Sequence, residues 1–567
     1  LQSLNQYKSL HQSANTLLRK NSLEMSISKL KFCIKSSQIL NSIPQPKIPR
    51  GVIFIASQTC FNSLAMFIPS LVEAKKLGYA VINLTEGMTE EAPIGIDIID
   101  KFQGILPLDL LRSPNVKDIK NTWEINWDRK IVKSHGINFY QAFYEGISTY
   151  TRKYHVDLKD PFTYKQFLIQ LIRSDMALSI CNDIYDELCK KQNINVTFIT
   201  SNSHVTPYSV FRDFSRAKDS KYLGFINCNV AYESYFSNLG SKFSSTMCVT
   251  DMTLYPTIRA PFFARRDQFE PWYNKNKNNI KFREKAHNQI KVNRVGSVTN
   301  DRELEIIELI KEKKAHGIKI ICAFGKVPVD LNVPFDGGHA HHDMADWINH
   351  TVEVCSETDK VFLLVKPHPH EIKPQIALDL IGGFNELVDV PAGSNVLFLG
   401  HKDINVHSLA PFLDLALLYN GSSSLELTAQ GIPVNMASYF GRYDYPVDLL
   451  YPASRQEYRE FIHGCDYPVP SESLREKSAF LISYMGTDEI SITNDYSLRQ
   501  LTNDKVGVPI WREERVNDFI NNGDPKMKLI AQRIIEKFEK IEKIEKIEKI
   551  EKIEKIEKFI KIEELNY

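Results

Sequence analysis

The 567-residue sequence has little net charge, no long apolar run and no closely paired cysteines. Its formal net charge of +1 gives no overall electrostatic reason to expect nucleic acid or a membrane as a partner. No apolar stretch approaches the roughly 18 residues of a membrane-spanning helix. The nine cysteines include no C-x-x-C pair and several lie in apolar runs, so we expect reduced core residues rather than a disulfide framework or a zinc site. No signal-peptide pattern is visible, and we therefore expect a cytoplasmic protein.

Length and composition favour a soluble globular protein with more than one domain. Hydrophobic residues (43%) and charged residues (25%) occur at ordinary frequencies. A chain of 567 residues is too long to fold around one hydrophobic core, so we expect two main domains with appended segments.

The first half of the chain alternates apolar runs with helical segments. A predicted helix at Asn62–Lys76, which Gly78 ends, separates the first two strands. Residues 100–195 are predicted to be mostly helical, and Asn274–Asn293 is predicted to be a polar linker. The predicted strands are Gly51–Ser57, Tyr79–Leu84, Val196–Thr200 and Leu223–Asn227.

The second half repeats this alternation, with predicted helices at Asp301–His316 and Met344–Cys355. Its predicted strands are Ile318–Ala323, Phe362–Val365, Val396–Leu399 and Leu413–Tyr419. Strands that alternate with helices indicate parallel sheets. We therefore predict an α/β fold with two Rossmann-like domains that face each other across a cleft. The predicted units are a helical N-terminal extension (1–50), an N-terminal Rossmann-like domain (51–296), a C-terminal Rossmann-like domain (297–515) and a helical tail (516–567).

Two junctions between a strand and a loop carry the residues most typical of a binding site. Lys366–Glu371 follows one predicted strand and Asn420–Ser424 follows another. In a parallel sheet such junctions lie at the carboxyl edge, where α/β proteins bind ligands. Prolines on both sides of His368 fix its backbone, and a cationic or hydrogen-bonding imidazole beside Lys366 suits a diphosphate or a departing phosphate. The alternative is a rigid surface turn that binds nothing.

The serine-rich junction has two interpretations. Hydroxyl and backbone N–H groups at a helix N-terminus form a ready anion site, which here would comprise Gly421 and Ser422–Ser424. Alternatively, Ser423 and Glu426 have the S-x-x-E spacing of a capping box, which only stabilises the helix. Glu426 could equally accept hydrogen bonds from ribose hydroxyls.

Other polar clusters are weaker candidates. The spacing within His339–Asp343 matches no zinc pattern, so we expect a mobile loop that touches substrate rather than a metal site. In the first half, Ser57 and Gln58 follow the first predicted strand, Glu86 follows the second, and His204 follows the third.

The chain ends in repeated Glu-Lys-Ile triplets between Glu539 and Lys558. Each glutamate precedes a lysine by four residues, which is the favourable orientation for ion pairs along a helix. A period of three does not match 3.6 residues per turn, so the isoleucines wind around the helix instead of forming one face. A solvated helix is therefore predicted, and the alternative is a coiled-coil or membrane-surface segment.

Six segments of the second half carry a family resemblance. They are Asp346–Thr351, Lys366–Glu371, Asp403–Leu409, Asp414–Ser424, Glu426–Val434 and Tyr443–Pro446. Together they resemble bacterial capsule polysaccharide biosynthesis proteins, which are glycosyltransferases of the GT-B type related to capsule Kdo transferases and teichoic-acid-type polymerases. The resemblance covers residues 300–460 well, residues 51–230 only by layout, and neither end of the chain.

This resemblance implies how several residues are used. In that family the second domain holds a nucleotide-activated donor, whose phosphates lie at a histidine-proline motif and a serine loop. Here the motif corresponds to His368 and Pro369, the loop to Ser422–Ser424, and a glutamate that contacts the nucleotide to Glu426. The family usually has glycine or another small residue before that glutamate, where this chain has Leu425. No residue of the first domain matches a catalytic base.

The resemblance therefore predicts a metal-independent glycosyltransferase without a bound cofactor, whose substrate is a nucleotide-activated sugar. Lys366 and His368 would be catalytic, because positive groups and N–H donors can stabilise the departing nucleotide. Gly325 and Lys326 join the donor-binding candidates, whereas the four polar residues of the first domain are candidates for the acceptor side.

The expected acceptor is a growing capsular or other cell-surface polysaccharide on a lipid carrier, at the inner face of the inner membrane. A peripheral association with the membrane and a capsule assembly complex are expected partners, and nucleic acid is not. One alternative is a CDP-polyol phosphotransferase of the teichoic-acid type. A second is a scaffold of the capsule assembly complex that has the fold but no turnover.

Overall fold

The protein contains two main β-sheets flanked by helices. The computed structural model describes residues 28, 31–56, 61–84, 119–200, 206–218, 221–231, 246–251, 266–284, 300–330, 335, 337–372, 382–438, 447–485, 487, 492–493, 495–498, 501–502, 505–506 and 508–536. The strands are β1 (Gly51–Ile55), β2 (Tyr79–Asn83), β3 (Glu124–Asn126), β4 (Ile131–Ser134), β5 (Ile137–Asn138), β6 (Asn195–Thr200), β7 (Leu223–Ala231), β8 (Thr246–Asp251), β9 (Lys319–Phe324), β10 (Val361–Lys366), β11 (Val396–Phe398), β12 (Leu415–Leu418), β13 (Val434–Met436), β14 (Ile492–Thr493), β15 (Ser497–Leu498), β16 (Leu501–Thr502), β17 (Lys505–Val506) and β18 (Ile510–Trp511).

Helices cover both sheets and extend beyond them. They are α1 (31–40), α2 (Phe61–Lys76), α3 (Tyr140–Thr151), α4 (Pro161–Ile184), α5 (Tyr208–Ala217), α6 (Arg266–Asn276), α7 (280–284), α8 (Asp301–Ala315), α9 (Met344–Ser356), α10 (Val406–Leu409), α11 (Ser423–Ala429), α12 (Arg455–Gly464), α13 (Glu472–Met485), α14 (Glu513–Asn522) and α15 (525–536). Within these described ranges, no helix is both long and apolar enough to cross a membrane.

The second sheet has five strands in the order β11-β10-β9-β12-β13, and all neighbouring strands are parallel. In chain order this is 3-2-1-4-5, the arrangement of a Rossmann-type half. All six residues of β10 are buried, as expected for a parallel sheet with helices on both faces. Leu415 and Leu417 pack on one face while Ala416 and Leu418 pack on the other, so β12 contributes to two cores.

The first sheet has six strands in the order β14-β8-β7-β6-β1-β2. Its strands β2, β1, β6 and β7 are parallel, whereas β8 and β14 form an antiparallel edge. The parallel part has the chain order 2-1-3-4. Its switch in direction therefore lies between β1, which ends at Ile55, and β6, which ends at Thr200.

These two sheets confirm the predicted α/β class with two Rossmann-like halves. All eight predicted strands are present, as β1, β2, β6, β7, β9, β10, β11 and β12. The segment expected to be mostly helical contains α3 and α4, but also an antiparallel sheet of β3, β4 and β5. These strands have two to four residues, and all of β3 is exposed, so they carry no apolar periodicity that sequence analysis could detect.

The chain changes from one sheet to the other at different places from those that composition suggests. Trp272 of helix α6 packs against Phe480 of α13 and against Phe282 of α7, so part of the predicted linker belongs to a core beside the second sheet. Strand β14 pairs with β8, and Phe519 and Ile530 of the last two helices join the core of the first sheet. Core residues on both sides of the predicted boundary at 515 thus lie with the first sheet.

An exchange of aromatic side chains joins the two halves. Tyr154 follows α3 but lies in the core of the second sheet, where its hydroxyl accepts a hydrogen bond from the N–H of Ala345 at 3.2 Å. Phe335 follows β9 but packs against the core of the first sheet, with its ring 5.1 Å from that of Tyr144. Each half therefore seats one aromatic residue of the other.

Candidate functional site

The candidate site lies at the carboxyl edge of the second sheet. The chain order of its strands reverses between β9 and β12, which is where open α/β sheets bind ligands. Gly325 and Lys326 directly follow β9, which lies between β10 and β12. Strand β10 leads into the histidine loop (Lys366–Ile372), and β12 leads into the serine loop (Asn420–Ser424). The structure therefore brings the two motifs of the sequence to one edge, on either side of β9.

Gly325 keeps β9 and β10 close at this edge. Its N–H donates a 2.9 Å hydrogen bond to the carbonyl of Lys366. A Cβ at this position would lie 2.3 Å from the Phe384 ring, so only glycine fits. The ammonium of Lys326 lies 3.5 Å from the carboxylate of Asp330. Gly325 is thus a packing residue beside the site, and Lys326 supplies a half-buried positive charge.

The imidazole of His368 is held in one orientation. Its Nδ1 accepts a 3.1 Å hydrogen bond from the backbone N–H of His370, so in the neutral ring the proton lies on Nε2. Burial, together with a smaller effect of the neighbouring His370, lowers the pKa of His368 to about 4. Of the two states that the sequence leaves open, the structure favours the neutral, hydrogen-bonding one. At neutral pH His368 is a donor through Nε2–H and not a cation.

Lys366 is the last residue of β10 and is only 3% exposed. Burial lowers the pKa of its ammonium, an effect that Cys322 and, to a smaller extent, Asp403 and Glu371 partly oppose. No hydrogen bond or ion pair joins this ammonium to another side chain in the part of the chain that the structure describes. A buried cation without a direct partner is costly unless an anion completes it. The carboxyl end of β10 therefore carries a buried positive charge.

Glu371 organises the histidine loop, and sequence analysis assigned it no role. Its carboxylate is 2% exposed and accepts hydrogen bonds from the N–H groups of His368 and Phe384, each at 3.2 Å. It also lies 3.1 Å from Nε2 of His401. The burial raises the pKa of Glu371, whereas these bonds lower it. The only sequence signal was its position directly after the histidine-proline motif.

The serine loop does not form the capping box. Helix α11 starts at Ser423 with Ser422 as its N-cap, so Glu426 lies at the fourth helical position instead of the third. The side chain of Ser422 makes no capping hydrogen bond, while Ser424 donates through its hydroxyl to the carbonyl of Gly421 at 2.7 Å. The hydroxyls of Ser422 and Ser423 are thus not used to cap this seven-residue helix.

Glu426 is the clearest unsatisfied group of the site. The residue is 4% exposed, and its Oε1 has no hydrogen-bond partner among the described residues. Its Oε2 lies 3.7 Å from Nε2 of His407, which is longer than a hydrogen bond. Burial raises the pKa of Glu426 to about 7. A buried carboxyl group with a free oxygen is expected where a ligand supplies the missing donor.

In the histidine cluster after β9, His341 is buried and therefore cannot touch a substrate from the surface. This side chain is 1% exposed, and its Nε2 is 2.9 Å from Nδ1 of His350 on α9. The turn closes tightly, since a Cβ on Gly337 would lie 2.1 Å from the carbonyl oxygen of His342. The expectation of a mobile loop is wrong for His341, because this histidine packs in the core. Among the described residues, no group of three or more His, Cys, Asp or Glu could hold a metal ion.

Several predicted residues lie outside the described part of the chain. These are the acceptor-side candidates Ser57, Gln58, Glu86 and His204, the segment Tyr443–Pro446 and the Glu-Lys-Ile repeat. The strands that precede Ser57 and His204 are β1 and β6, which flank the switch point of the first sheet. Pro369, the remaining donor-side candidate, is exposed and begins the turn that carries Glu371.

Comparisons with known proteins give only distant similarities. No protein-family profile matches the sequence, and no curated protein matches it. Solved structures with some similarity include KpsC from Thermosulfurimonas dismutans, a beta Kdo 2,7 transferase (13% identity, TM-score 0.29, covering 60% of this chain and 90% of that one). A second is the UDP-GlcNAc 2-epimerase of Methanocaldococcus jannaschii in complex with UDP-GlcNAc and UDP (7%, TM-score 0.23, 75% and 97%). A third is a putative UDP-N-acetylglucosamine 2-epimerase from Listeria monocytogenes (9%, TM-score 0.21, 76% and 90%).

TM-scores of this size do not establish a common fold, and the assignment of two Rossmann-like halves rests on the strand orders described above. The similarity is likewise too distant to assign an activity to this chain.

Proposed function

We propose that this chain is a glycosyltransferase that binds a nucleotide-activated sugar at the carboxyl edge of its second sheet. One observation carries the proposal: polar groups that no other side chain of the described residues pairs lie at the carboxyl ends of β10 and β12, on either side of β9 in a Rossmann-type sheet. They are the buried ammonium of Lys366, the Nε2–H of His368 and the free carboxyl oxygen of Glu426. Two donors and one acceptor suit a ligand with a phosphate at one end and hydroxyl groups at the other.

In the proposed reaction, the bond between the anomeric carbon of the sugar and the phosphate oxygen breaks. A bond forms between that carbon and an acceptor hydroxyl oxygen, whose proton passes to a base that this chain's described residues do not identify. Negative charge develops on the departing phosphate. The buried Lys366 and the Nε2–H of the half-buried His368 are proposed to stabilise that charge, because donors that are already oriented cost no rearrangement when the charge develops.

Glu426 is proposed to bind the ribose of the donor. A carboxylate with one free oxygen can accept from hydroxyl groups, and its burial strengthens such bonds. The half-buried hydroxyls of Ser422 and Ser423, unused by the helix cap, are proposed to contact the phosphates.

The acceptor is proposed to be a growing cell-surface polysaccharide on a lipid carrier. The motifs shared with capsule polysaccharide biosynthesis proteins support this part of the proposal, as does the separation of donor and acceptor sides in a protein with two Rossmann-like halves.

Calorimetric titration of the full-length protein with UMP, UDP, CMP, CDP and AMP tests the donor site. We expect a pyrimidine nucleotide to bind, and Lys366→Met to weaken its binding roughly 10–100-fold, because hydrogen bonds to charged groups contribute about 1.5–3 kcal/mol. Lys360→Met is the matched control, since Lys360 is exposed and immediately precedes the same strand at its other end. Equal effects of the two substitutions would remove the donor site from this edge.

Incubation with nucleotide sugars then separates the possible activities. Release of free nucleotide without an acceptor supports a transferase, and release of CMP from a CDP-polyol with transfer of the polyol phosphate supports the alternative phosphotransferase. Nucleotide binding without any turnover, with or without an acceptor, would support a scaffold instead.

A further inference from the structure

The carboxylate of Glu371 joins three segments of the second half behind the candidate site. Its Oε1 accepts from the N–H of His368 at 3.2 Å, and its Oε2 accepts from the N–H of Phe384 at 3.2 Å. The same Oε2 lies 3.1 Å from Nε2 of His401, in the loop after β11. The carboxylate is 2% exposed, so solvent contributes little to its satisfaction. These contacts form a buried clamp between the loops that follow β10 and β11.

The clamp controls the turn that faces the ring of His368. Residues Pro369–Ile372 form a single 3-10 turn, in which the N–H of Glu371 donates to the carbonyl of His368 at 3.0 Å. This turn places the N–H of His370 at 3.1 Å from Nδ1 of His368. The backbone N–H cannot lose its proton, so Nδ1 must act as the acceptor. The proton of the neutral imidazole is thereby fixed on Nε2.

Two glycines make room for the clamp. A Cβ on Gly383 would lie 2.8 Å from Oε2 of Glu371. A Cβ on Gly325 would lie 2.3 Å from the ring of Phe384, whose N–H is one of the three donors. The ends of β9, β10 and β11 are therefore connected through Gly325, Phe384, Glu371 and His401.

We propose that Glu371 is a positioning residue that fixes the imidazole of His368 as an Nε2–H donor, with His401 as its supporting partner. The inference rests on the proposed function, because it assigns Glu371 to the same phosphate-stabilising step. Glu371 touches no substrate in this arrangement and acts only through the turn that it holds. Outer groups that orient a reactive side chain commonly affect turnover more than binding, since a small misplacement is felt mainly in the transition state.

The test is a double-mutant cycle on donor turnover in the full-length protein, with Glu371→Gln and His368→Ala. The amide of glutamine cannot accept from all three donors, so Glu371→Gln should lower kcat about 10–100-fold while the donor KM changes less than about threefold. In the His368→Ala background the same substitution should cost nothing further, because its effect passes through the missing ring. An equal loss in both backgrounds would overturn the inference.

His401 provides a second variant in case Glu371→Gln does not fold. Its side chain is 30% exposed, so His401→Ala is expected to fold, and His401→Gln retains a donor toward Glu371. We expect His401→Ala to lower kcat several-fold and His401→Gln to restore most of it. The loss should again disappear in the His368→Ala background, and a loss that persists there contradicts the inference.

Nitrogen-15 shifts of the His368 ring give a readout that a purely structural role would not move. In the wild-type protein Nδ1 should carry no proton, whereas in Glu371→Gln the two neutral forms should both be populated. Failure of the proposed function is distinguishable, because His368→Ala alone would then leave donor turnover intact. A ring that keeps its single form in Glu371→Gln would overturn the positioning role alone.

Discussion

The histidine loop and the serine loop lie on either side of the same strand, yet their polar groups are satisfied in opposite ways. In the histidine loop, Glu371 and the backbone of His370 bind both the main chain and the ring of His368. In the serine loop, the hydroxyl of Ser422 makes no capping bond and Oε1 of Glu426 has no partner. The orientation of the His368 ring is thus fixed before a ligand arrives, whereas a carboxyl oxygen of Glu426 has no partner among the described residues.

This difference matches two tasks within one site. A donor that is already oriented needs no rearrangement when charge develops on a phosphate, and such groups act mainly on the rate. An unsatisfied buried carboxyl gains its partner equally in the bound ground state and in the transition state, and such groups act mainly on binding. We therefore expect His368 to act mainly on the rate and Glu426 mainly on affinity.

The largest expected effect is on turnover, through His368→Ala. Removal of one preorganised donor at a developing anion commonly lowers kcat by about 10²–10³, and the donor KM should change far less. His370→Ala is the matched control, because it keeps the backbone N–H that donates to Nδ1 of His368. Steady-state kinetics on both variants measure the difference. A fully active His368→Ala enzyme would contradict the assignment of His368 to the rate of the reaction.

Glu426→Gln should show the opposite kinetic pattern. We expect the donor KM to rise roughly 10–100-fold with a smaller effect on kcat, because the hydrogen bonds to a charged group are lost. Its stability should increase at pH 8, since a buried carboxylate without a partner is destabilising. The capping box, in contrast, would predict a loss of about 1 kcal/mol on substitution. Thermal melts beside kinetics test both statements, and a destabilised variant with an unchanged KM would contradict the ribose role.

The sign of the stability effect follows from the pKa of Glu426. Burial raises it to about 7 in the folded protein, so the folded state retains a proton that the unfolded state has already lost. The contribution of this group to stability is thus present below the ordinary glutamate pKa and is lost as the pH rises through 7. A glutamine at this position does not ionise and avoids that loss.

Nucleotide binding should also depend on pH through Glu426. Between pH 6 and pH 8 its ionised fraction rises from about a tenth to about nine tenths, so a ribose that donates to the carboxylate should bind about tenfold more tightly at pH 8. His368, with a pKa of about 4, stays neutral over this range. Calorimetry at both pH values should show that the tenfold change in nucleotide affinity is absent in Glu426→Gln. The same dependence in wild type and variant would argue against the assignment.

The sequence was sufficient to predict the sheet edge at which these residues meet. Strands of a parallel sheet are buried on both faces and therefore appear as continuous apolar runs such as Phe362–Val365. The end of such a run predicts where the strand ends. The sequence therefore predicts that His368, Glu426 and the serine loop belong to the same edge of the sheet.

What the sequence could not provide is how each polar group is satisfied. The S-x-x-E spacing of Ser423 and Glu426 fits a capping box equally well, and only the start of α11 one residue earlier than that motif requires rules it out. From the sequence alone, Glu371 would be taken for a surface glutamate. Its partners Phe384 and His401 are distant in sequence, so no local pattern indicates that it is buried. The protonation of His368 depends on burial and on a backbone donor, neither of which is visible in residue types.

The smallest expected effect is that of Ser422→Ala, and it tests whether the serine loop is free for a ligand. An N-cap serine that bonds its helix contributes typically about 1 kcal/mol. Because the hydroxyl of Ser422 makes no such bond, its removal should change the free energy of unfolding by less than about 0.5 kcal/mol. Nucleotide affinity should nevertheless fall roughly 3–10-fold, since one neutral hydrogen bond contributes about 0.5–1.5 kcal/mol.

Ser454→Ala is the matched control for Ser422→Ala. Ser454 is the N-cap of α12, and its hydroxyl accepts from the N–H of Glu457 at 3.1 Å. This substitution should therefore lower stability by about 1 kcal/mol and leave nucleotide affinity unchanged. Chemical denaturation and calorimetry on the two variants should give opposite outcomes, a loss of affinity without a loss of stability and the reverse. If Ser422→Ala instead behaves like Ser454→Ala, the serine loop serves only its own helix, and its contrast with the histidine loop disappears.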